Sequence, residues 1–399
     1  MASIIGLIKR CHSAFISPPS TTGVGAQAEP PLRFGILGAA AIAPPALITP
    51  AKSHLDVTIY AVAARDIQRA EQFAKKYGIT KFYGGKTGYQ ELLDDPQVDV
   101  IYNPLPNGLH YEWTMKALAA GKHVLLEKPS GDTAEETRRM FDFAERKGLV
   151  LLEAFHYRFH PAVQRLKAIL DSGELGAIKE ISASLAFPKG FIGDDNIRMN
   201  FDIGGGAMMD CGCYPLSCLR YLTSSNPTEV LSASATRYPK DSRIDTATTA
   251  SLLFPSAAPD SEPIKATLRC DFSVPPRFGF IPRWPDITAR VTCERGTVEL
   301  FNFVMPVIYH SITVRPEGGR VRTEKAYTFP DGSGKKGEEW WTTYRHQLEA
   351  FVDKLRGREP QTWVDREDST SNMVWIEKIY EVTGLGSRPQ SEFQIPESE

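Results

Sequence analysis

The sequence predicts an α/β fold in which a Rossmann doubly wound parallel sheet is followed by a C-terminal α+β domain with a large, mainly antiparallel open sheet. Short apolar strands alternate with amphipathic helices over the first part of the chain, as a parallel sheet requires. After residue 156 the helices give way to successive strands joined by turns rich in Gly, Pro and Asp, which is typical of antiparallel sheets.

The elements of the first domain follow from apolar patterning along the chain. Its helices show apolar residues at helical spacing, and a glycine follows the last turn of each, at Gly78, Gly121 and Gly148. The predicted strands are 33–37, 57–64, 98–103, 123–127 and 149–155, and the predicted helices are 66–77, 110–120 and 134–147.

The elements of the second domain are mostly strands. They are predicted at 178–187, 247–254, 264–272, 287–293, 307–314 and 321–328. Amphipathic helices at 338–355 and 369–383 close the chain, and residues 238–245 and 331–337 are predicted to be exposed loops.

The chain is thereby divided into an amino-terminal arm (1–30), a dinucleotide-binding domain (31–155) and a substrate and oligomerisation domain (156–399). The closing helices of the last domain can pack back on the first. The arm shows no sustained periodicity, and it contains Lys9 and Arg10 but no acid before Glu29. A cytoplasmic enzyme is the main expectation, with mitochondrial import as the alternative.

Composition excludes several classes of function. The 46 Lys and Arg residues are balanced by 48 Asp and Glu, so no positive excess is available to bind nucleic acid. Glycines and prolines interrupt the longest uncharged apolar run, 34–51, which argues against a membrane span. The six cysteines lack paired metal-ligand spacing, and His156 and His160 lack a third ligand. We expect a small-molecule substrate and no metal.

The turn after the first strand carries a dinucleotide-binding pattern. Residues 38–43 read Gly-Ala-Ala-Ala-Ile-Ala, a variant of the Gly-rich fingerprint with small residues at its three key positions. Small residues there let backbone N–H groups approach a pyrophosphate. We assign Gly38, Ala40, Ala41 and Ile42 to cofactor binding.

The end of the second strand favours NADP over NAD. An NAD site usually has an acidic residue there for the ribose, whereas this chain has Arg65, whose guanidinium suits a 2′-phosphate. Asp66, the next residue, is either a helix N-cap or a ribose ligand.

Two further segments carry candidate chemistry. Glu127-Lys128-Pro129 follows the fourth strand at the sheet edge where α/β proteins bind ligands, and Pro129 restricts the backbone of Lys128. The glycine-rich segment 204–215 places Asp210 and Tyr214 four residues apart, on one face if the segment is helical. Pro215 leaves open whether one helix runs through it or a new helix starts there.

Together these motifs resemble the glucose–fructose oxidoreductase/inositol dehydrogenase (Gfo/Idh/MocA) family, and within it the branch of NADP-dependent D-xylose 1-dehydrogenases and dimeric dihydrodiol dehydrogenases. The resemblance covers residues 31–390 and rests on the Gly-Ile-Leu-Gly start, Ala-Ala-Arg at 63–65, residues 103–107 with His110, Glu127-Lys128-Pro129, residues 153–161 and the Asp-x-Gly-x-Tyr segment at 210–214.

The resemblance implies roles for particular residues. It implies that Lys128 and Tyr214 lie at the hydride-transfer site, with Asp210 orienting Lys128 or the substrate. The expected neighbours of the cofactor are Pro104, Leu105, Asn107, His110, Glu127 and Lys128. The expected substrate residues are His156, Arg158 and Tyr214. Ala40 and Cys213 depart from the residues that many members carry.

Residue chemistry agrees with this assignment. Oxidation of a hydroxyl needs a base, and a free tyrosine, with a pKa of about 10, is too weak an acid to ionise at neutral pH. We expect the ammonium of Lys128 to lower the pKa of Tyr214. Which of the two touches the substrate oxygen stays open.

The sequence therefore predicts an NADP-dependent oxidoreductase that acts on a sugar or diol hydroxyl. The alternatives are an NADPH-dependent reductase of a ketone, aldehyde or imine and a non-catalytic cofactor sensor; retention of Lys128 and Tyr214 argues against the sensor. A homodimer is expected, because the predicted strand 307–314 has large apolar groups on both faces, with Ile308 or Tyr309 directed outward.

Overall fold

The structure is a computed structural model, and it describes residues 4–19, 29–194, 196–256, 262–281 and 283–395. It contains a six-stranded parallel sheet in the order β3-β2-β1-β4-β5-β6 and an eight-stranded sheet in the order β14-β13-β12-β11-β7-β10-β9-β8. In the second sheet only the pairing of β10 with β7 is parallel. The predicted fold class is therefore confirmed.

The first sheet consists of β1 (Leu32–Leu37), β2 (Val57–Ala64), β3 (Lys81–Gly84), β4 (Val100–Asn103), β5 (His123–Leu126) and β6 (Leu151–Glu153). Its helices are α2 (Thr49–Ala51), α3 (Ile67–Tyr77), α4 (Gly88–Asp94), α5 (His110–Ala119) and α6 (Ala134–Arg146), and a π-helix (Pro44–Ile48) precedes α2. Strand β3 and helix α4 were not predicted. Because β3 is a short edge strand with partly exposed side chains, it lacks a buried apolar run.

The second sheet consists of β7 (Ile178–Pro188), β8 (Glu229–Tyr238), β9 (Asp241–Phe254), β10 (Ile264–Val274), β11 (Asp286–Cys293), β12 (Gly296–Phe301), β13 (Ser311–Pro316) and β14 (Arg322–Glu324). The other helices are α1 (Ile4–Cys11), α7 (Pro161–Asp171), α8 (Cys213–Thr223), α9 (Thr343–Leu355) and α10 (Arg366–Thr383).

Two predictions for this domain are wrong. Residues 238–245 are not an exposed loop: they form the turn and the first part of β9 in a long hairpin with β8, and Asp245 is fully buried. Residues 307–310 precede β13 and lie outside the sheet. The hairpin was missed because β8 is polar on its open face and reads as loop sequence.

The two faces of the second sheet differ in character. Helix α8 packs on β7 and β10 and covers buried residues such as Leu185 and Leu268. The opposite face is polar, with side chains that include Ser182, Ser184, Thr249, Ser251, Thr267, Thr288 and Arg290. Ile308 and Tyr309 are exposed, as expected, but they lie outside the strand and do not form an apolar face of the sheet.

The end of the chain contacts the first domain. Helix α10 packs on α6, the Ala134 N–H donates to Glu377, and Phe393 and Ile395 pack on the apolar cluster beside the parallel sheet. One buried cluster contains residues of both sheets, for example Phe34 and Leu268. The cavity described below is thus built on a continuous core.

Part of the amino-terminal arm is helical, contrary to the expectation of an aperiodic segment. Helix α1 continues as a π-helix (His12–Ile16), and buried Arg10 donates to the Tyr327 hydroxyl at 2.9 Å while its guanidinium lies 3.8 Å from the Tyr327 ring centre. The arm is therefore anchored on the second domain. Residues 20–28 lie outside the described residues.

A protein that begins at Pro31 is expected to keep its affinity for the predicted nucleotide, because Gly38 and the cavity come later in the chain. It should melt a few degrees lower, since the Arg10–Tyr327 contacts contribute roughly 1–3 kcal/mol. Calorimetry and fluorescence titration with NADPH measure the two quantities. Loss of NADPH binding would contradict this division and make the arm part of the nucleotide site.

Candidate active site

A cavity of about 490 Å³ opens at the carboxyl ends of β4 and β5, between the parallel sheet and the second domain. Ten of the predicted site residues line it: Ile42, Pro104, Leu105, Asn107, His110, Glu127, Lys128, His156, Asp210 and Tyr214. Its remaining wall is mainly apolar and includes Leu185, Phe187, Phe191, Ile192, Ile287, Val304 and Met305.

Glu127 and Lys128 reach the cavity because they directly follow β5. The Tyr102 hydroxyl, on the neighbouring strand β4, donates to Glu127 Oε1 at 2.7 Å. Burial raises the pKa of Glu127, so this carboxyl is held less acidic than in water. Glu153, which follows on β6, accepts the Ser130 N–H at 2.8 Å and so anchors the loop after Lys128.

Lys128 and Asp210 form an ion pair at the centre of the site. Lys128 Nζ donates to Asp210 Oδ1 and to the Asp210 carbonyl oxygen, each at 2.8 Å. Arg198 Nε donates to the other carboxylate oxygen at 2.6 Å. Burial opposes the charge on Lys128 and on Asp210, but their attraction outweighs it, raising the pKa of Lys128 and lowering that of Asp210. Lys128 is thus a held ammonium.

Tyr214 lies beside this pair and bonds to His156. The Tyr214 hydroxyl and His156 Nε2 are 2.9 Å apart, and His156 Nδ1 is 2.7 Å from Thr343 Oγ1 on α9. Burial, reinforced by Lys128, lowers the pKa of His156 to about 3, so its ring is neutral at neutral pH. The three side chains form a continuous hydrogen-bonded chain that leads away from the cavity.

The local helix explains why Asp210 and Tyr214 both reach the cavity. A π-helix (Met208–Gly212) leads directly into α8, and Pro215 is accommodated in the first turn of α8, so one helical stretch runs through the segment. This answers the question that Pro215 left open. The wider π turn, which is frequent at functional sites, changes the helical register between the two residues.

The structure does not support the expected low pKa of Tyr214. Burial, together with neighbouring Tyr344 and Glu127, raises the pKa of Tyr214 well above its ordinary value. The Lys128 ammonium lies 5.0 Å from the centre of the Tyr214 ring and is already paired with Asp210, so its field at the phenol oxygen is largely compensated. Tyr214 is therefore a neutral phenol here.

The glycine-rich segment forms the cavity wall next to Asp210. Gly206 has φ +142°, and a Cβ there would collide with Asp245, Tyr380 and Arg388, so only glycine fits. Arg388 and Asp245 are an ion pair at 3.1 Å with no exposed side-chain surface, and Arg388 Nε donates to the Gly205 carbonyl at 2.7 Å. The carboxyl-terminal segment thereby fixes the wall.

The loop after β4 is braced against both domains. His110 is fully buried, and its two ring nitrogens lie 2.8 Å from the Pro129 carbonyl and 2.7 Å from the Leu105 carbonyl. Burial lowers the pKa of His110 to about 4. Asn107 Nδ2 donates to the Gly204 carbonyl at 3.0 Å and joins this loop to the glycine-rich wall.

The nucleotide-binding turn lies at the other end of the cavity. Gly38 has φ +89°, and a Cβ there would lie 3.2 Å from Leu105, so glycine leaves space beside the turn. Arg65 directly follows β2. Burial raises the pKa of Tyr89, and the positive charges of nearby Arg65 and Arg69 oppose this rise. Ala40 and Ala41 belong to the turn without lining the cavity. Asp66 is the N-cap of α3.

Arg158 is not brought to the cavity. Its guanidinium pairs with Asp368, donates to the Trp363 carbonyl and lies 4.1 Å from the centre of the Tyr221 ring. The expected substrate role of Arg158 is therefore replaced by a structural one. His160 caps α7 by accepting the Ala162 N–H. Within the described residues, no group of three or more His, Cys, Asp or Glu side chains could hold a metal.

Sequence reasoning missed three residues at the site. Arg69, which donates to the Ala39 carbonyl in the nucleotide turn, could have been found, because it lies in the first part of the predicted helix 66–77 that follows Arg65. Arg198 and Tyr344 had no local signal, since each reaches the cavity through the tertiary fold. After β7, Phe191, Ile192 and Ile197 also line the cavity, whereas Trp284, before β11, is 91% exposed.

A Rossmann sheet with a lysine and a tyrosine at one cavity on its carboxyl edge defines a nicotinamide-dependent oxidoreductase. The oxidoreductase family GFO_IDH_MocA, with an NAD-binding Rossmann fold, matches residues 32–155, and the GFO/IDH/MocA C-terminal domain matches residues 163–299. The chain belongs to this family and is an enzyme, as the sequence predicted.

Named relatives include a D-xylose 1-dehydrogenase (NADP(+)) of Haloferax volcanii, 35% identical over 89% of this chain and 98% of that protein. A trans-1,2-dihydrobenzene-1,2-diol dehydrogenase of Sus scrofa is 37% identical over 52% of this chain and 60% of that protein. The aldose-aldose oxidoreductase of Caulobacter crescentus has the same fold, with a TM-score of 0.73 at 24% identity over 89% of this chain and 98% of that one.

Proposed function

We propose that the protein is an NADP-dependent dehydrogenase that transfers hydride between the nicotinamide and a CH–OH group of a sugar or diol. The observation that carries the proposal is the convergence of the Lys128–Asp210 pair and the Tyr214–His156 pair on one cavity beside the nucleotide turn. The Haloferax relative, similar over its whole length, supports NADP and a sugar substrate.

The residues present fit the cofactor. The turn at Gly38 leaves room for a pyrophosphate, Arg65 and Arg69 would hold a 2′-phosphate, and Pro104, Asn107 and Glu127 would flank the nicotinamide end. When bound, the nicotinamide supplies the carbon that accepts or donates hydride. NAD is the less favoured cofactor, because β2 ends in Ala64-Arg65 without an acid for the ribose.

Lys128 and Tyr214 would act on the substrate oxygen. The Lys128 ammonium stabilises negative charge that develops on this oxygen, and the neutral Tyr214 phenol donates its proton to it when a carbonyl is reduced. When an alcohol is oxidised, the Tyr214 oxygen takes the substrate proton while its own proton passes to the neutral ring of His156. The hydrogen bond to His156 fixes the Tyr214 hydroxyl, and Asp210 fixes Lys128. The mainly apolar wall beyond them excludes water from the reacting group.

The second candidate is an NADPH-dependent ketone reductase. Lys128 and Tyr214 are both protonated. This favours reduction, because a carbonyl oxygen takes up a proton when it is reduced. A 3-ketoreductase of Actinomadura kijaniata has the same fold, with a TM-score of 0.72 at 24% identity over 88% of this chain and 97% of that one. Assaying sugars, diols and carbonyls with each nicotinamide cofactor, by NADPH absorbance, distinguishes the candidates.

Replacing Arg65 with alanine is expected to weaken NADP binding by roughly 1.5–3 kcal/mol, the range for hydrogen bonds to charged groups, and to leave NAD binding nearly unchanged. The reason is that only NADP carries the 2′-phosphate. Fluorescence titration with both reduced cofactors measures the difference, with Glu71→Ala on the following helix, α3, as the control. Equal loss of both cofactors would assign Arg65 to the fold instead.

We also propose a homodimer formed through the open polar face of the eight-stranded sheet. This face spans eight strands, and Ser182 and Ser184 lie half-buried on its central strand β7, so the face can pair with itself across a twofold axis. Ser182→Arg, placed beside Arg290 on β11, is expected to shift the protein towards monomer in analytical ultracentrifugation. Glu71→Arg, on the first domain, is the control. A wild type that sediments as a monomer would contradict the proposal.

No helix among the described residues is long and apolar enough to cross a membrane. A cytoplasmic location is proposed, and the six cysteines support it, because all of them are free thiols, as a reducing compartment favours.

A further inference from the structure

Tyr344 is a second tyrosine at the cavity, and the sequence motifs give no reason to expect it. It lies in the first turn of α9, lines the cavity and is 7% exposed. Its hydroxyl has no hydrogen-bond partner among the described residues. The hydroxyl oxygen is nevertheless not fully enclosed by protein atoms. The hydroxyl is therefore open to the cavity.

The position of Tyr344 is fixed relative to Tyr214. Thr342 caps α9 by accepting the Arg345 N–H at 3.1 Å, and Thr343 bonds to His156. The Tyr344 ring packs on the His156 ring, with centres 4.0 Å apart and planes 32° apart. Because His156 also bonds to the Tyr214 hydroxyl, one imidazole sets the spacing of the two phenols.

The two phenols differ in what their hydroxyls do. The Tyr214 hydroxyl is occupied by His156, whereas that of Tyr344 is open. Burial, Glu127 and Asp210 raise the pKa of Tyr344, so it is a neutral phenol near the polar end of the cavity and can both donate and accept. Because this hydroxyl faces the cavity, a bound substrate oxygen can form a direct hydrogen bond with it in place of water.

We infer that Tyr344 is a substrate-binding residue whose hydroxyl binds the oxygen next to the one that reacts at Lys128 and Tyr214, so that the site selects vicinal diols. This inference rests on the proposed function and narrows its substrate class to 1,2-diols, including the 1,2-diol unit of an aldose. A monoalcohol of the same shape would leave Tyr344 unpaired, and sites built to bind a hydroxyl reject analogues that lack it.

The test compares Tyr344→Phe with the wild type on matched substrates that differ by one hydroxyl: D-xylose against 2-deoxy-D-xylose, and trans-cyclohexane-1,2-diol against cyclohexanol. In the wild type, kcat/KM should favour the diol member of each pair. Tyr344→Phe should lower kcat/KM for the diol roughly tenfold or more, mainly through KM, and leave the monoalcohol or deoxy analogue nearly unchanged.

The control is Tyr221→Phe, which removes a tyrosine hydroxyl from α8 at a half-buried position away from the cavity. NADPH titration of Tyr344→Phe verifies that it folds. Equal losses on both members of a pair, or no loss on either, would overturn the inference while leaving the proposed function intact. A wild type that oxidises none of these substrates with NADP would overturn the proposed function, and the inference with it.

Discussion

Lys128→Ala is expected to lower turnover by about a hundredfold or more while NADPH still binds. Lys128 Nζ is held by Asp210 at the cavity, so its removal deletes the charge that stabilises the reacting oxygen and leaves Asp210 paired only with Arg198. Steady-state rates and a fluorescence titration with NADPH separate turnover from cofactor binding. Tyr214→Phe, which removes only the hydroxyl bonded to His156, should show a loss of similar size.

The matched control for this pair is Lys147→Ala, which alters an exposed lysine after α6. If Lys128→Ala and Tyr214→Phe both turned over at nearly the wild-type rate, neither residue could be the acid or base. If both lost NADPH binding as well, their role would be to build the cofactor site.

Arg388→Met is expected to lower the free energy of unfolding by roughly 3–5 kcal/mol, the range for breaking a buried ion pair. Without Arg388, the buried Asp245 carboxylate keeps its bonds to the Met208 N–H and to the Thr248 and Tyr380 hydroxyls but loses its countercharge. The wall at Gly205 also loses its bond to Arg388. Urea denaturation followed by fluorescence measures the change.

The double variant Arg388→Met/Asp245→Asn is the control, because it removes the unpaired charge. It should recover part of the lost stability, and adding Asp245→Asn alone completes the double-mutant cycle that gives the coupling energy of the pair. A single variant as stable as the wild type would show that the carboxyl-terminal segment does not fix the glycine-rich wall.

The sequence was sufficient where local patterns carry the structure. All strands of the parallel sheet except β3 have buried apolar runs, and Lys128 is placed by the end of β5 alone. It was insufficient where partners lie far apart in the chain. Arg158 looked like a pocket residue because its partner, Asp368, is distant in sequence, and Tyr344 reaches the cavity only because α9 packs on the segment that begins at His156.

Charge compensation also could not be predicted from the motifs. Lys128 was expected to lower the pKa of Tyr214. Instead, the Lys128 ammonium forms an ion pair with Asp210, and burial raises the pKa of Tyr214. Similarly, residues 307–310 have strand-like apolar patterning but lie outside β13. The buried His310 ring lies 2.8 Å from the Pro306 carbonyl and accepts the Ala326 N–H, and these tertiary contacts have no signal in the local pattern.

The central claim is that hydride passes directly between the substrate carbon and the nicotinamide at the Lys128 and Tyr214 cavity. The most direct test is mass spectrometry of the NADPH formed from D-xylose, or from the best diol of the panel, deuterated at the carbon that is oxidised. Deuterium is expected in the NADPH made by the wild type, and Lys128→Ala should form almost no NADPH in the same time. NADPH formed without deuterium, or formed equally fast by Lys128→Ala, would contradict the central claim.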